Sequence, residues 1–190
     1  MSLAPSWGGA HPDPEDAFRA LGAAKDVRHI TADAVRLEER IAGVVIHEAR
    51  NIPKPNGLLV EVWRREWKLD GLPLDQIFLN HIHPGGVSGW HAHAKTTDRI
   101  FVCAGVLQIV LWDGRPESPT HGLVNELVAG MPRPRLVIVP PGVWHGVRNT
   151  SSESAVLLNA VDVPYDYDDP DHWRLPPDTD RIPFRLTRLP

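Results

Sequence analysis

The sequence predicts an all-β protein, built as a sandwich or barrel of short antiparallel strands. Short runs rich in Val, Ile and Leu recur from residue 43 onward. Turns rich in glycine and proline separate these runs, and the 190-residue chain contains 15 glycines and 19 prolines. Frequent short strands with such turns are typical of sandwiches and barrels, whereas alternating strand and helix patterns indicate parallel βα units. The pattern therefore favours an all-β fold.

The first 42 residues lack the closely spaced apolar runs of the rest of the chain and contain helix signals instead. Residues 1–12 are predicted to form a tail, and Asp13 is placed to cap a short helix running from Pro14 to about Ala24, with acidic residues in its first turn. A second, highly charged helix is predicted over about residues 32–40. We therefore expect residues 1–42 to form a tail and short helices that pack on the barrel or on a partner subunit, and residues 43–190 to form the barrel.

The predicted strands follow one another through the barrel region. They are Val44–His47, Leu58–Trp63, Gln76–His83, Arg99–Val102, Val106–Trp112, Leu136–Val139 and Ala155–Val161. The chain from Pro164 onward is dense in proline, aspartate and aromatic residues. An irregular segment with so many aromatic side chains is expected to pack over the sheet instead of extending into solvent.

Composition excludes several classes of partner and site. The formal net charge is −4 and no long basic run is present, which disfavours nucleic acid and anionic lipid as partners. Cys103 is the single cysteine, so an internal disulfide and a cysteine-rich zinc module are excluded. The chain begins without a secretory signal pattern, and no apolar run approaches the ~20 residues of a membrane span. We expect a cytoplasmic protein that binds a small molecule.

Histidines are the strongest functional signal in the chain, which contains ten of them. His91 and His93 are one residue apart, so on a strand both side chains point to the same face. Asp98 follows five residues later, and His145 lies in a Pro/Gly turn region further on. Three neutral imidazoles and one carboxylate form a ligand set for a divalent transition metal such as Zn, Fe, Mn, Ni or Co. The predicted metal ligands are therefore His91, His93, Asp98 and His145.

Two further pairs of residues are candidates for the wall of the same pocket. His81 and His83 form a second alternating pair on the preceding predicted strand, where they would wall the pocket or donate hydrogen bonds to its ligands. Trp90 and Trp144 each precede a predicted ligand histidine. The two tryptophans are expected either to wall the pocket or to pack in the core.

Two motifs carry a resemblance to the cupin superfamily. The pattern Gly85-x5-His91-x-His93-x4-Asp98-x6-Gly105 resembles the first cupin motif, and Pro140-x-Gly142-x2-His145-x3-Asn149 resembles the second. The resemblance implies a jelly-roll barrel, or double-stranded β-helix, with a metal ion at its interior mouth. Cupins usually have glutamate at the position of Asp98, and the aspartate side chain is shorter by one methylene.

Over residues 45–186 the chain also resembles the sugar-nucleotide 3,5-epimerases that act on dTDP-4-dehydro-6-deoxyglucose. The similar segments are Asn80–His81, Gly86–His91, Asp98–Val102 and Asp113–Gly122. This resemblance implies that His91 is the general base that removes a proton beside the ketone, and that Arg99 stabilises the enolate oxygen.

Three positions depart from the epimerase pattern. Leu158 stands where the family has the tyrosine that returns the proton to the sugar, and Ser88 stands where it has an arginine for the nucleotide phosphates. His93 replaces a glutamine-like position. These departures weaken the case for an unchanged epimerase site and are consistent with a histidine pair that binds a metal.

The sequence leaves three functions open. The favoured one is a metal-dependent isomerase or oxygenase acting on a small polar carbonyl or carbohydrate-like substrate, with His91 as a ligand because one nitrogen cannot both bind a cation and accept a proton. The alternatives are a metal-free 3,5-epimerase or ketoisomerase acting on a nucleotide sugar, and a non-catalytic cupin that binds a small ligand. Because barrels of this kind pair through exposed sheet edges, a homodimer is predicted.

Overall fold

The computed structural model describes residues 13–33 and 37–187, and the chain divides into two compact units between Glu39 and Arg40. Helix α1 of the first unit spans Pro14–Ala20. The Asp13 side chain accepts a hydrogen bond from the Glu15 amide at 3.0 Å, as expected of the predicted cap. The helix ends before Ala24, because the chain turns at Leu21 and Gly22 takes a φ of +80°.

The second predicted helix, over residues 32–40, is not seen in the described part of that range. Residues 32–33 form a turn, and residues 37–40 have no regular structure. Residues 34–36 and the predicted tail at residues 1–12 lie outside the described residues. No helix in the described ranges combines the length and the hydropathy that a bilayer crossing requires.

The regular structure of the described part of the second unit consists of strands and one short 3-10 helix at Arg65–Trp67. The strands are β1 (Val45–Glu48), β2 (Asn51–Lys54), β3 (Gly57–Val60), β4 (Gln76–Ile82), β5 (Val87–Ala92), β6 (Asp98–Ala104), β7 (Val106–Asp113), β8 (Val124–Gly130), β9 (Arg135–Val139), β10 (Val143–Asn149), β11 (Ala155–Val161) and β12 (Trp173–Arg174). The all-β prediction is thereby confirmed.

The strands form two five-stranded antiparallel sheets and one hairpin. The first sheet has the order β1-β9-β6-β11-β4, the second has the order β12-β5-β10-β7-β8, and β2 pairs with β3. Apolar side chains from both sheets, such as Val102, Ile109, Val137 and Val147, form one buried core. This is the predicted jelly-roll barrel, in which inward-facing side chains alternate with outward-facing ones along each strand.

The C-terminal segment covers the outer face of the second sheet. Trp90, Val110, Ile182 and Leu186 form a buried cluster there, which confirms that the segment packs over the sheet. A Cβ atom on Gly146 would lie 2.4 Å from Leu186 Cδ2. Glycine at this position of β10 therefore allows the C-terminal segment to approach the strand closely.

Candidate functional site

The candidate site is a cavity of about 690 Å³ at one end of the barrel. Its walls come from β4, β5, β6, β10 and β11, and residues 163–169 and 171–172 of the C-terminal segment line it as well. Four histidines and one buried aspartate line the same cavity: His91, His93, Asp98, His145 and His172.

Strand pairing brings the two predicted motifs together. β5 and β10 are antiparallel neighbours, and His91 pairs directly with His145. A shift of register follows, so that Ser88 pairs with Val147. Because of this irregularity His91 and Ser88, three residues apart, both line the cavity.

Asp98 lies at the centre of a buried polar cluster. Its side chain is 3% exposed, and Oδ1 accepts a hydrogen bond from Asn159 Nδ2 at 2.5 Å. Oδ2 lies 3.2 Å from His93 Nε2 and 3.5 Å from His145 Nε2. His93, Asp98 and His145 each offer one ligand atom, and these three atoms lie within 4.8 Å of one another.

The other ring nitrogen of each of these two histidines faces a backbone carbonyl. His93 Nδ1 contacts the carbonyl oxygen of Asp171, and His145 Nδ1 contacts the carbonyl oxygen of Val143 at 3.2 Å. Because a carbonyl only accepts hydrogen bonds, Nδ1 is the protonated nitrogen in both rings. When the rings are neutral, both therefore direct the Nε2 lone pair toward Asp98.

His91 faces a different group. Its Nε2 atom accepts a hydrogen bond from Arg174 Nη1 at 3.3 Å, and its ring centroid lies 4.5 Å from that of His172 and 6.1 Å from that of His145. The structure thus brings together three of the four predicted metal ligands and turns the fourth toward a guanidinium. This arrangement differs from the predicted ligand set because Arg174 of the C-terminal segment donates a hydrogen bond to His91.

Burial lowers the pKa of three histidines of this cavity, His91, His145 and His172. Burial, reinforced by the neighbouring His145 and His172, lowers the pKa of His91 to about 3. Burial also lowers the pKa of His172 to about 4, with contributions from His93 and Arg174. The pKa of His145 is lowered by burial, against the opposing effect of Asp98. His91 and His172 are therefore uncharged at neutral pH.

Three residues of the site were not predicted from the sequence, and all belong to the C-terminal segment, whose single strand within the described residues is β12. Asp171 contacts His93, His172 packs against His91 and His93, and Arg174 contacts His91. The aromatic content of the segment predicts that it packs on the sheet, but an irregular chain has no periodicity from which a facing direction follows. The sequence feature that could have indicated these residues is the run Asp171-His-Trp-Arg174, in which polar side chains stand within a segment expected to pack on the sheet.

Arg99 does not line the cavity, which corrects the prediction that it faces an enolate oxygen. Its side chain is 1% exposed, and Nε donates a hydrogen bond to Asp70 Oδ2 at 2.6 Å. Neighbouring residues of a strand point to opposite faces, so an inward Asp98 requires an outward Arg99.

The predicted pocket histidines His81 and His83 also lie outside the cavity. Both are exposed, and their rings contact each other with centroids 5.5 Å apart. Phe78 and Asn80 of β4 line the cavity instead. His81 follows Asn80 directly and therefore points to the outer face of the barrel.

Trp90 and Trp144 pack in the buried cluster between the second sheet and the C-terminal segment. Of the two roles expected for them, wall of the pocket or core packing, the structure shows core packing. Trp90 is fully buried, and its ring contacts Phe184 edge-on at a centroid distance of 6.3 Å. Trp144 packs against the same cluster. Their neighbours His91 and His145 face the cavity, so the two tryptophans face outward.

Comparison with known proteins identifies relatives among sugar epimerases. A probable low-salt glycan biosynthesis epimerase of Haloferax volcanii is 35% identical over 123 residues, which cover 64% of this chain and 79% of the relative. No protein-family model matches the chain.

The solved structures similar to this chain also include enzymes that act on dTDP-sugars. A dTDP sugar isomerase of Desulfovibrio desulfuricans G20 has a TM-score of 0.70 at 30% identity, with 76% of this chain and 90% of that chain covered. A dTDP-4-dehydrorhamnose 3,5-epimerase of Bacillus anthracis, solved with TDP and pyrophosphate bound, has a TM-score of 0.71 at 19% identity, with 81% and 90% covered. At that level of identity, the second likeness concerns the fold alone.

Proposed function

Because the chain is an enzyme of the dTDP-4-dehydrorhamnose 3,5-epimerase-like branch of the cupin superfamily, we propose that it epimerises or isomerises a keto-sugar by moving a proton on the carbon beside the carbonyl. The main support is the cavity that His91 lines beside Arg174, in a chain related to sugar epimerases. The relatives favour the epimerase alternative over metal-dependent oxygenase chemistry, because none of those described above is an oxygenase.

His91 is the proposed base. Removal of a proton beside a carbonyl needs a free lone pair and a cation or donor for the developing oxyanion. The lowered pKa of His91, about 3, keeps its Nε2 unprotonated at neutral pH, where its lone pair accepts the hydrogen bond from Arg174. Negative charge that develops on the substrate oxygen would raise this pKa as the proton is transferred. For the reaction, Arg174 would have to leave His91 Nε2 and turn to the developing oxyanion, where it would take the role that the sequence assigned to Arg99.

A second proton donor is needed on the opposite face of the sugar for inversion. Leu158, which stands at the position of the family tyrosine, does not line the cavity, whereas its neighbours Leu157 and Asn159 do. We assign the donor to the C-terminal segment, where Tyr165 lines the cavity. The Tyr165 amide donates a hydrogen bond to Gln76 Oε1 at 2.8 Å, which ties this part of the segment to β4.

The proposed substrate class is a nucleotide-linked sugar, as the names of the relatives suggest. The sugar ring would enter the histidine-lined cavity, and the diphosphate would lie toward its mouth. Ser88, which replaces the family arginine, lines the cavity. Among the described residues that line it, Lys95 is the single lysine or arginine. We therefore expect the diphosphate to be held more weakly than in relatives that keep the arginine.

The test is exchange of solvent deuterium into dTDP-4-dehydro-6-deoxyglucose, followed by NMR. The native enzyme should incorporate deuterium beside the ketone, and His91→Asn should slow the exchange by about 100-fold or more. His81→Asn is the matched control, because His81 is a histidine on the outer face of β4, and it should exchange at the native rate. Absence of exchange in the native enzyme, together with absence of a thermal shift with dTDP, would overturn the proposal.

A homodimer remains a proposal, and the exposed edge of the first sheet supports it. β4 is the last strand of that sheet, and its outer residues Ile77 and Leu79 are 59% and 66% exposed. A strand that has one edge unpaired within the described residues, and that carries exposed apolar side chains, favours association with a second copy. Light scattering should give twice the mass of the chain, and a monomeric mass would contradict the proposal. The cytoplasmic location likewise stays a prediction.

A further inference from the structure

We propose that Tyr167, supported by Tyr165, forms a stacking site for the nucleobase of the substrate at the opening of the cavity, and that this site accepts different nucleobases. The proposal rests on the proposed function, because it takes the substrate to be a nucleotide-linked sugar. It goes further by naming the residue that holds the base and by predicting that thymidine nucleotides are not the only ones bound. Its basis is an exposed aromatic wall that continues the histidine-lined cavity outward.

Four apolar or aromatic side chains line the cavity and are nevertheless exposed to solvent. Tyr165 is 47% exposed and Tyr167 is 85% exposed, and Phe78 and Val163 are exposed as well. A side chain that lines a cavity and also faces water lies at the opening of that cavity. Exposed aromatic rings beside a cavity are typical of ligand contacts, because a bound ring removes their apolar surface from water.

Several contacts hold the two tyrosine rings in place before a ligand binds. The rings of Tyr165 and Tyr167 make a T-shaped contact, with centroids 5.2 Å apart and planes at 72°. The Tyr165 amide donates a hydrogen bond to Gln76 Oε1 at 2.8 Å. Asp166 Oδ1, between the two tyrosines, accepts from the Asp168 amide at 2.9 Å. A binding surface that is ordered in advance loses less conformational entropy when the ligand arrives.

The charges that line the cavity favour an uncharged group against this wall. Asp166, Asp168 and Asp169, next to the tyrosines in the sequence, line the cavity, whereas Lys95 is the single lysine or arginine among its described lining residues. Carboxylates repel a diphosphate. A nucleobase is neutral and planar, and its N–H groups can donate hydrogen bonds to a carboxylate. The base, and not the diphosphate, therefore fits the aromatic wall.

Stacking on a tyrosine does not distinguish one nucleobase from another. Every base has a π face, so an aromatic side chain binds purines and pyrimidines alike. Discrimination between bases needs donors and acceptors that are fixed opposite the edge of the base. The side chains of Asp168 and Asp169 are exposed, and within the described ranges neither is held by a bond. Both can turn to the donor that a given base presents, so the site should bind a base without selecting it.

Isothermal calorimetry on the full chain tests the stacking site with free nucleotides and with pyrophosphate. The dissociation constants of dTDP, UDP, GDP and ADP for the native chain should lie within about tenfold of one another. Tyr167→Ala should weaken the binding of each nucleotide about tenfold, because the stacking of the base is lost, whereas Tyr167→Phe keeps the ring and should keep the affinity. Pyrophosphate has no base, so its affinity should be the same in all three chains.

Trp173→Ala is the matched control for the loss of an exposed aromatic ring. Trp173 is 63% exposed and belongs to the same segment, but it is not among the described residues that line the cavity, so this variant should bind nucleotides as the native chain does. Equal nucleotide affinities in the native chain and Tyr167→Ala, or a native chain that binds none of the nucleotides, would overturn the stacking site. A preference of about 100-fold or more for one base would overturn the tolerance of different bases.

Two further outcomes separate this proposal from the others. If Tyr167→Ala halved the mass measured by light scattering, the ring would contact a second copy of the chain, and its assignment to a ligand would be overturned. Deuterium exchange into the sugar without binding of free nucleotides would remove the stacking site and leave the proposed reaction. Nucleotide binding that depends on Tyr167, in a chain that shows no exchange, would remove the reaction and leave the stacking site.

Discussion

Asp171 anchors the C-terminal segment to the turn between β5 and β6, and its replacement should release that segment. Oδ1 accepts from the Ala94 amide at 2.8 Å, and Oδ2 accepts from the Lys95 amide at 2.7 Å and the Thr96 amide at 3.1 Å. Thr96 Oγ1 adds a fourth hydrogen bond at 3.2 Å. The backbone carbonyl of the same residue contacts His93, so the anchor also positions a pocket histidine.

The size of the effect follows from these contacts. A hydrogen bond to a charged group contributes about 1.5–3 kcal/mol when its donor is buried. Ala94 and Lys95 are exposed, so water can replace the carboxylate at their amides, whereas the Thr96 donors are partly buried. Asp171→Ala should therefore lower the free energy of unfolding by about 2–4 kcal/mol, and Asp171→Asn by about half as much, since the amide oxygen still accepts.

Urea unfolding at neutral pH measures this change through the shift of the midpoint at constant m-value. Hydrogen exchange should show loss of protection at the amides of Lys95 and Thr96 before global unfolding. Asp178→Ala is the matched control: Asp178 is an exposed aspartate on the same segment, and no bond of its side chain is seen within the described ranges. If Asp171→Ala stayed within about 0.5 kcal/mol of the native value, the proposed anchoring would be refuted.

Three other substitutions test separate parts of the structure. Asp70→Ala should lower the free energy of unfolding in urea by about 3–5 kcal/mol, because it leaves the buried Arg99 cation unpaired. Adding Arg99→Met to this variant should restore much of the lost stability. If the destabilising effects of the two substitutions simply added, the pairing of Asp70 with Arg99 would be contradicted. Asp113→Asn should cost about 2–4 kcal/mol at pH 7. Although burial raises the pKa of Asp113, hydrogen bonds led by that of Arg115 lower it overall. The stabilisation that the ionised Asp113 provides is therefore present above pH ~4 and is lost as the pH falls through the folded-state pKa. The stability deficit of Asp113→Asn should shrink over that pH range, and a deficit independent of pH would contradict this explanation. Ser88→Arg should tighten dTDP binding about tenfold by calorimetry if one charge-assisted hydrogen bond is regained, and unchanged affinity would argue against a phosphate site there.

The sequence predicted strands best where apolar runs were continuous. β11 was predicted with its observed bounds, because every second residue faces the buried interior and the intervening ones are also apolar. β8 was missed because Asn125 and Glu126 interrupt its apolar pattern, and β2 was missed because Pro53 is typical of turns as well as of hairpin edges. Local patterns thus predicted strands with continuous apolar runs, such as β7, β9 and β11. They missed β5 and the buried central strand β10, in which glycine, histidine and other polar residues interrupt the apolar pattern.

The same alternation that predicted the paired histidines also explains the errors around them. If His91 points inward, Trp90 must point outward, and Asp98 excludes Arg99 from the cavity in the same way. The two-residue repeat of a strand, applied to the residues next to His91 and Asp98, excludes Trp90 and Arg99 from the cavity. By contrast, no pattern in the sequence could place His172, because it belongs to an irregular segment whose path is fixed by tertiary packing.

The C-terminal segment connects the stability of the fold to the chemistry of the pocket. Without the Asp171 carbonyl, His93 Nδ1 would face water, and the ring would be free to carry its proton on either nitrogen. The carbonyl selects the tautomer that directs the Nε2 lone pair at Asp98. Asp171→Ala keeps the carbonyl but releases the segment that carries it, so both tautomers of the His93 ring should be populated, whereas Asp178→Ala should leave the tautomer unchanged; nitrogen NMR of the ring measures this. The same tautomer in the two variants would show that the barrel strands alone orient His93.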